Sequence, residues 1–448
     1  MFERGALYVL VLVCYVPGLY NAIRYRTLLH FPLLTCCFFG LFFENALGSI
    51  LVFFPELTDR VDYFSMDYVG MLVAQAAIFY AVVAPYLSVV RRARHPFVHD
   101  WSADRTLLAV MLVTILGISI VYFNTVGPPT LVQILRGELD ESSVVSYRIQ
   151  GTYGLEDYSV YNLGLTTLPM LAAVLAYALA FIRKQNAILE YAAIGSCVVV
   201  LLLPGFKGMM FDLVTTLFIA YMLLCGGRTS AGYRVVRIGR IVAALCVAFV
   251  PVFAMYKVYF GSLRSTGQLV IDMLYRIFGI NSESMAAAVW YIKTHGVFGT
   301  RALPTIRGLF PHSQLNVSDE MHVFLFGPGG GAPVSALTEG YLMFGWAGFV
   351  AMAVIVFVIV IAAEEFFRRG PRNLLLFSLL VLYGLFATKV SQLSIFATFI
   401  SLTYGGAFFT LVLFRSMLAW LLSRARLGRL AATNGTQPRP PGGPVPDS

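Results

Sequence analysis

The chain reads as an all-α polytopic membrane protein with about eleven transmembrane helices and two large external loops. Three observations predict this. Its 448 residues are 58% hydrophobic and only 12% charged, with a mean hydropathy of +0.78, more apolar surface than a water-soluble domain keeps from solvent. Apolar runs long enough to cross about 30 Å of hydrocarbon recur along the whole chain. Lys and Arg fall unevenly in the connections between them. The net charge of +9 comes from one set of loops, so it does not indicate a nucleic-acid partner.

The apolar runs lie near 6–23, 31–54, 67–90, 106–123, 161–182, 188–203, 208–225, 239–258, 333–362, 373–388 and 393–414. The first has neither a basic leader nor a small-residue cleavage site, and is expected to be retained as a span. The runs at 188–203 and 373–388 are short, whereas 333–362 is long enough to tilt or bend. Alternate connections, together with the C-terminal tail, hold twenty of the 32 Lys and Arg residues, among them Arg91, Arg92, Arg183, Arg234, Arg368 and Arg424. The positive-inside rule makes those connections cytoplasmic, leaving the N-terminus external and the C-terminus internal. The Pro- and Gly-rich segment 431–448 is expected to be a disordered cytoplasmic tail. All six cysteines lie in apolar runs without metal-ligand spacing and read as small core residues.

The first large external segment, 124–160, sets Arg136 and Arg148 among five carboxylates and the tyrosines Tyr147, Tyr153, Tyr158 and Tyr161. It is either a solvated loop with local ion pairs or a carbohydrate surface. Aromatic faces stack on sugar C–H groups, and Asp157 and its neighbours bond hydroxyls. Lys207, in a tight external turn, either snorkels to headgroups or meets a phosphate, and Asp212 is a candidate partner.

The second external segment, 259–332, carries five cations on the face where cations are scarce. Leu269, Val270, Met273, Leu274, Ile277 and Phe278 recur at helical spacing and predict an amphipathic helix on the outer leaflet. Asn281 or Ser282 is the expected cap of a following helix through about Thr294. Asp272 precedes Arg276 at ion-pair spacing, so Arg276 is either structural or a phosphate contact. Arg301 and Arg307 occupy a Pro/Gly loop that suits guanidinium contacts to phosphate oxygens. Lys293 has no feature that recommends it for a role. His312 and His322 are irregularly spaced, without a zinc pattern. Either is an ordinary loop residue or, beside a carboxylate, a general base. Glu339 falls a few residues into an apolar run, where a carboxylate costs several kcal/mol unless it is paired or protonated. Gly340, Gly345 and Gly348 are expected to turn it into the bundle.

Three stretches carry a resemblance: LPGFKGMMFDLV, YRIF, and above all HVFLFGPGGGAPVSALTEGYLMFGWAG. With the span count and the two large loops, they make the chain similar to the Wzy-type O-antigen and repeat-unit polymerases of bacterial inner membranes. The resemblance implies a membrane glycosyltransferase of the GT-C-like class, its catalytic domain covering residues 1–430. It would take undecaprenyl-diphosphate-linked oligosaccharides as donor and acceptor, with inversion at the anomeric carbon and no cofactor, metal ion or nucleotide sugar. A chain-length regulator is a further implied partner. On this reading Glu339 is the base, with His312 or His322 as alternatives. Arg148, Lys207, Arg276, Arg301 and Arg307 would hold diphosphate, while Tyr147, Tyr153, Tyr158, Asp157 and Tyr341 would meet glycan. An O-antigen ligase and, in a different class, a lipid-linked glycan flippase are the competing readings. The few ionisable residues inside the spans, Glu44, Lys257 and Lys389, weigh against transport.

Overall fold

A computed structural model describes residues 2–24, 30–57, 61–90, 101–139, 147, 161, 163–183, 187–204, 207–225, 250, 253, 257, 265–302, 317–327, 332–369, 373–390, 411–418 and 420. Every regular element among them is helical. Six helices are long and apolar enough to cross a membrane: Phe2–Asn21, Pro32–Phe53, Met66–Val89, Ala103–Val126, Leu163–Ile182 and Ala336–Arg369. Three more, Ile188–Leu202, Gly208–Leu224 and Leu374–Thr388, are apolar but shorter. The runs near 239–258 and 393–414 lie mostly outside the described residues, as does the tail 431–448.

The helices sort into centre and rim. Leu163–Ile182 and Pro32–Phe53 are 83% and 67% buried within the bundle, whereas Phe2–Asn21 is only 17% buried. The rim helices turn residues such as Val9, Val13, Val113 and Leu116 outward, as lipid-facing helices do. Leu374–Thr388 is apolar all round and almost wholly buried, the pattern of a helix enclosed by others. At 15 residues it is about 22 Å long. It packs against Pro32–Gly40 at backbone distance, because a Cβ on Gly40 would lie 1.9 Å from the Thr388 carbonyl oxygen.

Several polar groups inside the bundle are matched across helices. Pro32 opens its helix, and the Leu33 and Leu34 N–H groups of that first turn donate to the buried Glu364 carboxylate at 2.7 and 3.1 Å. A distant helix thus satisfies two of the orphan donors at a helix start. At the same end Arg415 donates to Asp104 at 2.8 Å and Arg105 to Glu190 at 2.5 Å. At the opposite end Arg4 meets Asp62 at 2.7 Å, Lys293 meets Asp67 at 3.0 Å and Lys389 meets Asp212 at 2.5 Å. Each of these pairs joins helix ends that successive traverses bring to the same end of the bundle. The spans hold more ionisable residues than the sequence reading counted. Glu364 and Asp104 escaped it because each lies close to a span end.

Three expectations are corrected and a fourth is sharpened. Asp212 pairs with Lys389; residues far apart in sequence meet where two helices pack. Residues 266–274 do not form a separate surface helix. A capping box at Ser265 and Gln268 starts them, and they continue through a π turn, Tyr275–Gly279, into Ile280–His295. Asn281 and Ser282 are therefore interior helical residues, buried with everything through Val289. The run at 333–362, expected to tilt or bend, does so sharply. Ala336–Arg369 breaks at Phe344 and at Gly345, which has φ 63°, a left-handed conformation that glycine adopts at little cost.

Candidate functional site

The break in Ala336–Arg369 builds the site. Ser335 starts the first arm: its Oγ accepts from the Thr338 N–H at 3.2 Å and lies 2.9 Å from the Thr338 hydroxyl. The arm through Met343 then folds against the second arm. A Cβ on Gly340 would sit 2.6 Å from the Gly348 carbonyl oxygen, and one on Gly348 would sit 2.0 Å from that of Gly340. The fold-back also leaves the last carbonyls of the first arm without helical partners. The Phe298 N–H donates to one of them, Leu342 O, at 2.9 Å. This contact fixes the loop after His295 onto the arm.

The arm carries Glu339 and Tyr341. Glu339 is half-buried in the first turn, where the positive end of the helix dipole favours an anion. Tyr341 is buried, edge-on to Trp346 at 6.0 Å, and within electrostatic reach of Asp67. Arg301, exposed on the short 3₁₀ turn Gly299–Ala302, follows the Phe298 contact by three residues and has no ion-pair partner among the described residues. The Lys293–Asp67 pair ties the helix Ile280–His295 to the start of Met66–Val89. Lys293, which the sequence does not distinguish, thus has a structural role.

An aromatic cluster flanks the arm. Tyr291 stacks on His295 at 4.5 Å and meets Phe298 and Phe324 at 5.1 and 5.4 Å. Burial, followed by the charge of Glu320, holds the Tyr291 phenol above its ordinary pKa, so it remains a neutral hydroxyl. The sequence reading missed His295, although its i, i+4 spacing from Tyr291 was the available signal. His322 lies on the helix Val317–Phe326, 5.1 Å from the Phe326 ring, with its Nδ1 buried and unpartnered among the described residues. Ser318 and Ala332 exchange hydrogen bonds of 2.7 and 2.9 Å, which holds Ala332 against the start of that helix.

Glu339, Tyr341, Arg301 and His322 therefore share one end of the bundle: the arm packs on Gly299–Ala302 and on Ile280–His295, and Ile280–His295 packs on the helix that carries His322. Arg276 does not join them. It is exposed on the π turn Tyr275–Gly279, and among the ion pairs of the described residues there is none between it and Asp272. Lys207 begins the helix Lys207–Cys225. The Tyr147 hydroxyl accepts from the Gln133 amide at 2.6 Å and reaches the Val126 and Pro128 carbonyls at 3.2 Å, which commits its polar end to the local turn. Arg148, Tyr153, Asp157, Tyr158, Arg307 and His312 lie outside the described residues.

Among the described residues, no cluster of three or more His, Cys, Asp or Glu side chains is placed to hold a metal ion. A cavity of about 120 Å³ lies near the opposite, arginine-rich end, lined by Gly18, Phe31, Leu34, Phe38, Phe79 and Leu87 among others. Its apolar wall is remote from the site just described. No protein-family model, curated protein or solved structure matches the chain.

Proposed function

We propose that the protein is a membrane glycosyltransferase that joins undecaprenyl-diphosphate-linked repeat units into a surface polysaccharide. The membrane would be the bacterial inner membrane, crossed about eleven times with the C-terminus in the cytoplasm, and the work done at the periplasmic face. The observation that carries this reading is the short arm Ala336–Met343. It presents a half-buried carboxylate, Glu339, at the same end of the bundle as the exposed guanidinium of Arg301, which has no ion-pair partner among the described residues.

Glycosyl transfer from a lipid diphosphate needs two things of a protein. A base must take the proton from the acceptor hydroxyl as it attacks the anomeric carbon. Cations must bind the diphosphate and offset the charge it gains as it leaves. Glu339 suits the first task, with His322 as the alternative. Arg301 suits the second because a planar guanidinium binds two phosphate oxygens at once, and Arg148, Lys207, Arg276 and Arg307 are the further candidates. Tyr341 and the aromatic surface of Tyr291 and His295 suit a sugar face.

The test is reconstitution of the purified protein in liposomes with lipid-linked repeat units alone. A ladder of glycan lengths is the expected product. A requirement for a lipid A–core acceptor would identify a ligase. Passage of the glycan across the membrane at unchanged length would identify a transporter.

A further inference from the structure

Three helices, Phe2–Arg24, Pro32–Gly40 and Met66–Val89, line the cavity of about 120 Å³ at the arginine-rich end of the bundle. Phe31, Leu34, Phe38, Phe79 and Val83 give it an apolar wall. Two polar side chains in that wall are already engaged. The Tyr80 hydroxyl accepts from the Gly18 N–H at 3.0 Å, and the Thr35 hydroxyl donates to the Phe31 carbonyl at 2.8 Å. A cavity so poor in polar partners stays dry and takes apolar guests.

One side of the cavity is open. Asn21, Ala84 and Leu87 on its edge are exposed. They belong to rim helices, for Phe2–Asn21 and Met66–Val89 are only 17% and 28% buried within the bundle. Val13, Val16 and Val89, which these two helices also expose, are apolar. Outside the opening lies bilayer, and the apolar group that a bilayer offers is an acyl chain. From Phe79 to Leu87 the lining spans about 12 Å along one helix, within the depth of a single leaflet.

Charge collects beside the cavity. The Tyr86 ring is edge-on to Phe31 at 6.0 Å, and its hydroxyl donates to Glu365 at 2.9 Å. Glu365 also accepts from Arg368 at 2.8 Å and from Arg369 at 2.6 Å, so two guanidiniums share its one carboxylate. Arg369 is 79% exposed and engages Glu365 through Nε, which leaves its terminal nitrogens to meet phosphate oxygens as a fork. We propose that the cavity holds one acyl chain of an anionic phospholipid, with the headgroup phosphate against Arg369. The chain fills the dry space, and basic groups between helices select an anionic headgroup. Bound there, the lipid braces Phe2–Arg24, which protein contacts bury so little, against Met66–Val89. This proposal does not depend on the glycosyl-transfer reading.

The experiment is native mass spectrometry of the detergent-purified full chain titrated with phosphatidylglycerol or with phosphatidylcholine of the same acyl chains. The first phosphatidylglycerol is expected to bind about five-fold tighter than the first phosphatidylcholine, the worth of one arginine near an anionic headgroup. It should also raise Tm by preferential binding to the native state. Ala84→Phe, which fills the opening from an exposed position, should weaken binding of both lipids. Arg369→Gln should lower phosphatidylglycerol binding to the level of phosphatidylcholine. Equal affinity for the two lipids in the unmodified protein overturns the proposal, whether or not the variants fold. Binding that Ala84→Phe leaves unchanged overturns it by placing the lipid elsewhere. A preference that survives Arg369→Gln overturns the headgroup assignment and the proposal with it.

Discussion

Gly340 and Gly348 face one another across the break at Phe344–Gly345, each occupying space that a Cβ on the other would need. This contact holds the arm bearing Glu339 in place, and it makes glycine necessary at both positions. Gly348→Ala is expected to destabilise the protein by about 1–3 kcal/mol through overpacking and to reduce activity further by displacing the arm. Thermal melts and turnover measured on the same preparation check this; a variant as stable and active as the parent contradicts the fold-back.

Glu364 serves as a helix cap from a different helix. Glu364→Ala removes the acceptor for the Leu33 and Leu34 N–H groups and should cost about 1–3 kcal/mol. Glu364→Gln keeps one acceptor oxygen and should lose less. Comparing the two melting temperatures separates capping from charge, since a purely electrostatic role would make the two variants equivalent.

The pair of Asp212 and Lys389 lends itself to a double-mutant cycle. Lys389→Met strands a carboxylate that is only 5% exposed, and losing one partner of a buried pair costs about 3–5 kcal/mol. Adding Asp212→Leu should recover much of that loss. Additive single effects would show that the two charges do not interact in solution.

At the surface, Asp62 sets a small acid dependence. Burial alone would raise its pKa, but hydrogen bonds from Arg4 and the Phe64 N–H, with the Arg4 charge, outweigh burial and leave it below the ordinary value. A folded-state pKa lowered in this way stabilises the protein above the unfolded value of about 3.9. That stability is lost as pH falls through the folded value. Both partners are partly exposed, so the pair contributes only about 0.2–1 kcal/mol. Asp62→Asn should melt slightly lower than the parent at neutral pH and level with it below the folded pKa. An equal deficit at both pH values contradicts the assignment.

The sequence shows the membrane helices plainly because lipid selects long apolar runs, and Phe2–Asn21 and Ala103–Val126 differ from the apolar runs by only a few residues. It also places Glu339 close to a span entry. It does not show where helices break. The glycines at 340, 345 and 348 are visible, but only the left-handed backbone at Gly345 turns them into a fold-back. Nor does it show partners. The pairing of Asp212 with Lys207 is reasonable from sequence, yet Lys389 arrives from a helix more than 170 residues downstream. The helical period of 269–278 is real, but Tyr275–Gly279 widens into a π turn and the helix continues into the core, a tertiary outcome that amphipathicity alone does not indicate. Asn281 and Ser282 resemble caps because short polar residues commonly are, and here they serve the interior instead.

The account turns on Glu339, and the most direct measurement is the glycan ladder made by Glu339→Gln in liposomes supplied with lipid-linked repeat units. Glutamine preserves shape and removes the base, so the prediction is a loss of about 10²–10⁴-fold in the rate of chain extension at unchanged melting temperature. Chain extension at close to the parental rate would contradict the central claim.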